Sequence, residues 1–197
     1  MRRTTWLLLG LLTFITPAVA ESTTAVFAGG CFWCMESAYQ EHKGVTGVVS
    51  GFTGGTLQHP TYTGNHEGHF EAVEVTYDPS LISYQQLLDL FWRNVDPFDN
   101  SGQFCDKGPS YRSAIFVRTT AERELAEKSL AAVATRFNGQ RVYTEVLPAG
   151  EFWPVEDYHQ DYYLKNPVRY KYYRWNCGRD QRLDALWGSE GTVHGVQ

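Results

Sequence analysis

The chain has 197 residues, a net charge of −5 at pH 7 and an aromatic content of 15%. The acidic balance disfavours nucleic-acid binding, because that function normally needs a basic surface patch. The length suits one domain with a core of ordinary size, so no second domain is needed.

The N-terminal segment up to Ala20 has the pattern of an export signal. Arg2 and Arg3 form a positive start, residues 6–15 are apolar, and Ala18-Val19-Ala20 is a small-residue cleavage sequence. The apolar run is about half of the ~20 residues that a transmembrane helix needs. We therefore expect cleavage after Ala20, no stable membrane anchor, and a single domain over residues 21–197 that is periplasmic or secreted.

Cys31 lies at the point where a predicted strand is followed by a predicted helix. The pattern indicates a buried strand over Thr24–Ala28, ended by Gly29-Gly30, and a helix over Phe32–Gln40. A helix N-terminus carries partial positive charge and free N–H groups, which favour a thiolate. We expect a pKa for Cys31 below the ordinary value of about 8.5, which makes it a candidate nucleophile.

The four cysteines are Cys31, Cys34, Cys105 and Cys177. Two structural disulfides are one interpretation in an exported protein, with three possible pairings. A domain of this size does not depend on such bridges, and a three-residue spacing at a helix start is more typical of a redox pair or a metal-ligand pair. We therefore favour a reactive role for the first pair.

After the first predicted helix, apolar residues recur at the helical spacing in some segments and at the strand spacing in others. The predicted elements after the first helix are a strand over Val45–Phe52, a long loop over 53–68, a strand over Phe70–Tyr77, a helix capped by Ser83 and Gln86, a strand over Tyr111–Arg118, a helix capped by Thr119 and Glu122, a strand over Val142–Leu147, and a helix from Trp153-Pro154 to Tyr163. This order predicts an α+β two-layer sandwich with a split βαβ (ferredoxin-like) core and an extended C-terminal tail from Val168.

Glu71 falls on the apolar side of a predicted strand, the side that it shares with Val73, Val75 and Tyr77. Two interpretations stay open. The carboxylate either points past the sheet edge into water, or it is partly buried and has a raised pKa that keeps it protonated near neutral pH.

Other kinds of site fit parts of the sequence. A thioredoxin-like oxidoreductase would use Cys31 and Cys34 as a C-x-x-C pair after the first strand. A cysteine hydrolase would need a histidine base, for which His159 is one candidate. Zinc is disfavoured because a second C-x-x-C is absent and no helix spaces the histidines, so we expect no metal site; its possible ligands are Cys105, Cys177, His66 and His69.

Five local motifs, in this order, resemble those of the A-type peptide methionine sulfoxide reductases. They are Gly30-Cys31-Phe32-Trp33, Gly51-Phe52-Thr53-Gly54-Gly55, Gly68-His69-Phe70-Glu71-Ala72-Val73, Asp106 with Tyr111-Arg112-Ser113-Ala114-Ile115, and Glu156-Asp157-Tyr158-His159-Gln160 with Lys165-Asn166-Pro167. Each motif is weak alone, but together they span residues 30–167 and are highly specific. The resemblance implies that residues 21–197 form one catalytic domain that repairs oxidised methionine.

The resemblance also implies a reaction. The Cys31 thiolate attacks the sulfoxide sulfur, methionine leaves, and Cys31 becomes a sulfenic acid. Glu71 matches the family's proton donor, Tyr111 matches a tyrosine that binds the sulfoxide oxygen, and Asp106 matches a polar residue of the site.

Phe32 and Trp33 match the apolar pocket for the terminal methyl group of the substrate, an arrangement that implies selection of the S epimer. Phe52 stands in the same substrate-binding region, where many members of the family carry tyrosine. The sequence therefore indicates that one hydroxyl donor is lost and that Tyr111, Glu71 or a water takes its place.

The resemblance favours Cys177 as the thiol that resolves the sulfenic acid, in a mobile, electropositive tail. Cys34 is the alternative resolving cysteine, although a Cys31–Cys34 disulfide inside one regular helix would be strained. Cys105 is expected to be a small buried thiol near the site, because it precedes Asp106.

No metal or other cofactor is implied. The expected partners are oxidised proteins and peptides that contain methionine sulfoxide, and a thioredoxin-like protein or a dithiol that supplies electrons. Nucleic acid is not an expected partner, and we expect a monomer.

Overall fold

A mixed β-sheet organises the part of the chain that the computed structural model describes, residues 23–188. The strands in this range are β1 (Thr23–Gly29), β2 (Val45–Thr53), β3 (Phe70–Tyr77), β4 (Gly102–Gln103), β5 (Asp106–Lys107), β6 (Ser113–Val117), β7 (Glu145–Pro148) and β8 (Phe152–Pro154). Six of them form one sheet in the order β7-β6-β1-β3-β2-β8, and β4 pairs with β5 in a small separate hairpin.

Helices cover and flank this sheet. They are α1 (Phe32–Gln40), α2 (Tyr84–Arg93), α3 (Thr120–Arg136), α4 (Tyr162–Lys165), α5 (Pro167–Asn176) and α6 (Arg179–Trp187), with a 3₁₀ turn over Pro109–Tyr111. The bounds of α1 and β3 agree with those predicted from the sequence. Ser83 and Gln86 form the predicted reciprocal capping box of α2, in which each side chain accepts a hydrogen bond from the other residue's backbone N–H.

The mixed α+β class is confirmed by this arrangement. β6 and β7 run parallel, and the other neighbouring strands of the sheet run antiparallel. The sheet has two strands more than a split βαβ core, since β7 and β8 extend its two edges. The ferredoxin-like description stays a prediction about the four inner strands, whose order is β6-β1-β3-β2.

The main core lies between the sheet and the helices α1 and α2. The ring of Phe27 on β1 stacks on Tyr39 of α1 at 5.2 Å and on Phe91 of α2 at 5.6 Å, and all three rings are fully buried. Burial of each large apolar side chain contributes about 1.5–3 kcal/mol relative to exposure. This packing holds α1, and with it Cys31, against β1 and β3.

Several predicted elements differ in the structure. The helix predicted from Trp153-Pro154 to Tyr163 is wrong over most of its length, because Phe152–Pro154 pairs with Gly51–Thr53 of β2 as the edge strand β8 and the helix α4 begins only at Tyr162. Proline is tolerated on an edge strand, and a Cβ at Gly51 would lie 2.3 Å from the Trp153 carbonyl oxygen. Tyr111 ends the 3₁₀ turn and precedes β6, whereas the sequence pattern placed it in the strand.

The C-terminal part of the described chain is helical and packed, so the prediction of an extended, mobile tail is wrong. Pro167 starts α5, where its missing N–H costs no hydrogen bond. The Arg179 side chain of α6 is 1% exposed and donates hydrogen bonds to the carbonyls of Gly29 and Asn94. Leu183 and Trp187 of the same helix are buried. Through these long-range contacts, α6 packs against the core.

The predicted export signal lies outside the described residues. Within residues 23–188, none of the helices has the length and apolar character needed to cross a membrane.

Candidate active site

Cys31 is the N-cap residue of α1, directly after the glycine pair that ends β1. Gly30 has a φ of +81°, and a Cβ there would lie 2.5 Å from Cβ of Gln103, so both the backbone and the space require glycine. Cys31 is 5% exposed and Cys34, at the third helical position, is 1% exposed. Because the φ and ψ of Cys31 are not helical, the two thiols do not lie inside one regular helix.

The two buried thiols share a hydrogen bond and their titrations are linked. Burial raises the pKa of Cys31 well above its ordinary value, and the adjacent Cys34 and Glu71 raise it further. The hydrogen bond from Cys31 lowers the pKa of Cys34 to about 6, and the charges of Arg179 and Arg174 act in the same direction. The direction is opposite to the lowered pKa expected for Cys31, because desolvation by burial outweighs the helix end.

Glu71 is the buried acid of the site. Its side chain is on β3, where it is 1% exposed, and its Oε2 accepts a hydrogen bond from the backbone N–H of Phe32 at 3.2 Å. Burial raises the pKa of Glu71 to about 8, while hydrogen bonds from Phe32 and Tyr111 oppose the rise. Of the two interpretations of the strand pattern, the structure supports the buried carboxyl with a raised pKa.

A small cavity of about 50 Å³ joins the reactive groups. Its lining includes six residues singled out from the sequence, Cys31, Phe32, Trp33, Glu71, Asp106 and Tyr111, and two that were missed, Tyr62 and Tyr173. Burial raises the pKa of Tyr62 to about 12 and also raises that of Tyr111, so both hydroxyls stay protonated donors at neutral pH. The cavity has the volume of one or two water molecules.

The two missed tyrosines carried weak signals in the sequence. Tyr62 lies in the long 53–68 loop, which its length and glycine content marked as a candidate wall of a site, but nothing there distinguished one side chain. Tyr173 lies in the segment that was predicted to be extended. Its hydroxyl donates a 2.5 Å hydrogen bond to Asp106 Oδ2. Only the folded chain brings these residues to Cys31.

Aromatic contacts fix the ring of Trp33. It stacks on Tyr162 with 3.8 Å between ring centroids, and its Nε1–H donates to His159 Nδ1 at 3.1 Å. This bond assigns His159 the neutral tautomer with hydrogen on Nε2, and burial lowers the pKa of His159. His159, the candidate hydrolase base, therefore orients Trp33 and does not line the cavity.

Phe52 lies behind the cavity wall. It is fully buried, its ring packs edge-on against Phe32 at 6.0 Å, and it stacks on His66 at 4.9 Å. Its missing hydroxyl leaves no gap in the site, because Tyr62 supplies a hydroxyl to the same cavity. Among the possible zinc ligands, His69 uses both ring nitrogens in contacts with the backbone of Gly55 and Leu57.

The other two cysteines form a disulfide. Cys105 is bonded to Cys177, whereas Cys31 and Cys34 are free thiols. Cys105 is exposed at the tip of the β4–β5 hairpin, so the expectation of a buried lone thiol is wrong. Cys177 follows α5 and is half-buried.

The arrangement is that of a thiol-dependent redox enzyme. A small cavity holds a thiol with a second thiol beside it, a carboxyl with a raised pKa and two hydroxyl donors, and it has room for a small polar group. The sequence family described as peptide methionine sulfoxide reductase matches residues 23–191. The chain belongs to the peptide methionine sulfoxide reductase family, and it is an oxidoreductase.

Relatives and solved structures agree with this assignment. Peptide methionine sulfoxide reductase MsrA 2 of Caulobacter vibrioides is 51% identical over 91% of this chain and 94% of its own length. MsrA of Bacillus subtilis is 44% identical over 84% of this chain and 96% of its own length. The structure of methionine sulfoxide reductase A of Corynebacterium diphtheriae is similar with a TM-score of 0.66 and 33% identity, covering 77% of this chain and 78% of that one. The structure of reduced Mxr1 of Saccharomyces cerevisiae is similar with a TM-score of 0.67 and 26% identity, covering 77% of this chain and 88% of that one.

The lowered pKa of Cys34 predicts a specific thiol titration. As pH rises through about 6, one thiolate per chain should form, measured by ultraviolet thiolate absorbance. In Cys34→Ser this transition should move well upward, because burial holds the proton on Cys31. Cys31→Ser keeps a hydroxyl donor beside Cys34 and should retain the low transition. A transition near 6 that survives Cys34→Ser and disappears in Cys31→Ser would place the charge on Cys31 instead.

Proposed function

We propose that this enzyme reduces the S epimer of methionine sulfoxide in proteins and peptides to methionine, with Cys31 as the nucleophile. The observation that carries the proposal is that Cys31 and the protonated Glu71 border the same small cavity. Reduction of a sulfoxide needs these two groups together, a nucleophile at sulfur and a proton at oxygen.

Glu71 is the proton donor in this proposal. A sulfoxide oxygen is a poor leaving group until it is protonated, so a neutral carboxyl close to it lowers the barrier. With a pKa of about 8, Glu71 carries its proton at pH 7. The hydroxyls of Tyr111 and Tyr62 bind the oxygen in the same cavity, and Asp106 orients the network through Tyr173.

The first chemical step starts from the linked thiols. Cys31 passes its proton to the Cys34 thiolate, and the Cys31 thiolate forms an S–S bond to the sulfoxide sulfur while Glu71 protonates the oxygen. The protonated oxygen then moves to the Cys31 sulfur as the S–O bond of the substrate and the transient S–S bond break, so that methionine leaves and Cys31 is a sulfenic acid. Cys31 sulfur is oxidised by two electrons and the substrate sulfur is reduced by two. Glu71 then regains its proton from solvent.

Phe32 and Trp33 supply the apolar side of the site. Phe32 is 1% exposed, and Trp33 is held by Tyr162 and His159, so both rings are rigid. A methyl group seated on these rings, with the oxygen turned to Glu71 and Tyr111, leaves one arrangement for the rest of the substrate. That constraint selects one configuration at sulfur, and the resemblance to the family assigns it as S.

Cys34 is the resolving thiol that the geometry supports. The sequence favoured Cys177, but its bond to Cys105 leaves Cys34 as the free thiol hydrogen-bonded to Cys31. In the second step Cys34 sulfur attacks Cys31 sulfur, the S–S bond forms as the S–O bond breaks, and hydroxide leaves with the Cys34 proton as water. The non-helical N-cap backbone of Cys31 relieves the strain expected for two cysteines within one helix.

A thioredoxin-like protein is the proposed electron donor, and no resident cofactor takes part. The structural neighbour Mxr1, 21% identical with a TM-score of 0.53, has been solved in complex with Trx2. We also propose that residues 1–20 direct export and are removed, which leaves residues 21–197 as a monomeric, soluble enzyme outside the cytoplasm.

Epimer selectivity is the direct test of the proposed reaction. The enzyme is incubated with a dithiol and with each separated epimer of a methionine sulfoxide peptide. We expect consumption of the S epimer alone, as measured by chromatography. Cys31→Ser should abolish it, and Glu71→Gln should slow it by about 10²–10⁴-fold because the proton donor is lost. A thioredoxin-like disulfide oxidoreductase, the second candidate from the C-x-x-C pair, would reduce protein disulfides and leave both epimers intact.

The resolving thiol is tested by one turnover without reductant. The wild-type chain should end with a Cys31–Cys34 disulfide, located by mass spectrometry of its peptides. Cys34→Ser should accumulate a Cys31 sulfenic acid that reacts with dimedone. The matched control, Cys105→Ala with Cys177→Ala, should still form the Cys31–Cys34 bond. Disulfide formation at Cys31 in Cys34→Ser would show that another cysteine resolves the sulfenic acid.

Export and donor use are tested on the protein as the cell makes it. Chain recovered from outside the cytoplasm should begin at Glu21 by N-terminal sequencing, and a thioredoxin-like protein with its own reductant should support many turnovers. Recovery of Met1 in that fraction, or turnover that persists after every thioredoxin-like donor of the compartment has been deleted, would refute this assignment.

A further inference from the structure

Three consecutive residues at the tip of the β4–β5 hairpin contact the C-terminal helices, and we call this set of contacts the 104–106 clamp. The contacts are Phe104 with the guanidinium of Arg179 at 4.4 Å, Cys105 with Cys177 through the disulfide, and Asp106 with the hydroxyl of Tyr173. One contact is a cation–π interaction, one is covalent and one is a hydrogen bond. The clamp therefore joins the tip of the β4–β5 hairpin to α5 and to the start of α6.

The clamp forms one wall of the active-site cavity. Asp106 and Tyr173 both line the cavity with Cys31, and the ring of Tyr173 stands edge-on to Trp33 at 5.9 Å. Tyr173 lies four residues before Cys177, one turn along α5, so the disulfide and the Tyr173 hydrogen bond lie side by side. Any movement of Cys105 relative to Cys177 moves the next residue, Asp106, relative to Tyr173.

Without the clamp, little holds the tip of this hairpin. Each of its strands has two residues, and a two-stranded hairpin is marginal in water. Gln103 anchors the base through hydrogen bonds with the backbone N–H and carbonyl of Asp96. On the far side, Lys107 pairs with Asp99, but the Lys107 side chain is 51% exposed, and such pairs contribute little. The left-handed backbone of Phe104, with φ of +54°, is itself unfavourable.

We propose that the Cys105–Cys177 disulfide is a positioning element of the active site and takes no part in the redox cycle. It holds Asp106 and Tyr173 together at the cavity, so that the Tyr173 hydroxyl stays in the cavity lining with Cys31 and keeps its hydrogen bond to Asp106. This proposal rests on the proposed function, in which Cys31 and Cys34 alone carry out the cycle. Cys105 and Cys177 are positioning residues that act through Tyr173 and Asp106.

The proposal predicts that loss of the disulfide and loss of the Tyr173 hydroxyl have overlapping effects. The rate constant of methionine formation is measured in a single turnover, with a saturating concentration of the S sulfoxide peptide and without reductant. Thiol titration first shows that each protein used has two free thiols. Cys105→Ala with Cys177→Ala should lower it by about ten-fold, and Tyr173→Phe by a similar factor. The triple variant should stay within about two-fold of Tyr173→Phe, because the disulfide acts through that hydroxyl.

A destabilised control separates positioning from general stability. Val133→Ala makes a small cavity in α3, away from the hairpin, and should lower the unfolding temperature while leaving the rate constant unchanged. Thermal unfolding of every variant shows that the assay temperature lies below each transition.

Three results would overturn the proposal. The first is a wild-type rate constant in the variant that lacks the disulfide, and the second is a triple variant whose loss equals the product of the separate losses. The third is a slowed Val133→Ala, because stability alone would then explain the effect. If the wild-type chain forms no methionine at all, the proposed function fails instead, and the two failures are thereby distinguished.

Discussion

The hydrogen bond from the backbone N–H of Phe32 to Oε2 of Glu71 is the contact on which the active site depends. It joins residues 39 positions apart, at the first turn of α1 and in the middle of the sheet. The N–H is one that a helix N-terminus leaves unpaired, and the carboxyl is a buried group that needs hydrogen-bond donors. This single contact fixes the acid relative to Cys31, the residue before Phe32.

Burial at this contact helps the chemistry and opposes stability. The pKa of Glu71 is about 8 in the folded chain, against an ordinary value of 4.5. Since the unfolded chain ionises more easily, the contribution of this group to stability is fully present below pH 4.5 and is lost as pH rises toward 8. The same shift keeps the proton on Glu71 at neutral pH. The pKa values of the two thiols shift in opposite directions, because burial raises that of Cys31 whereas the hydrogen bond from Cys31 lowers that of Cys34.

The four cysteines serve two separate purposes in this fold. Cys31 and Cys34 are buried side by side at the start of α1, where a reactive pair is useful. The bond between Cys105 and Cys177 lies at the surface and joins a short hairpin to packed helices. The bond thus ties Cys177, which the sequence favoured as the resolving thiol, to the hairpin residue that precedes Asp106 of the cavity lining.

Local signals were sufficient for several of the elements, and the sequence, with its resemblance to the family, singled out six of the eight residues that line the cavity. The sequence by itself determined α1 and its N-terminal Cys31, the capped α2, and the placement of Glu71 on the core side of β3, because helix caps and side-chain periodicity depend on neighbours in the chain. Only the tertiary structure decided the Cys105–Cys177 pairing, the presence of Tyr62 and Tyr173 in the cavity lining, the edge strand at Trp153, and the lowered pKa of Cys34. Each of these depends on groups that are far apart in sequence, and desolvation in particular exists only once the chain has packed.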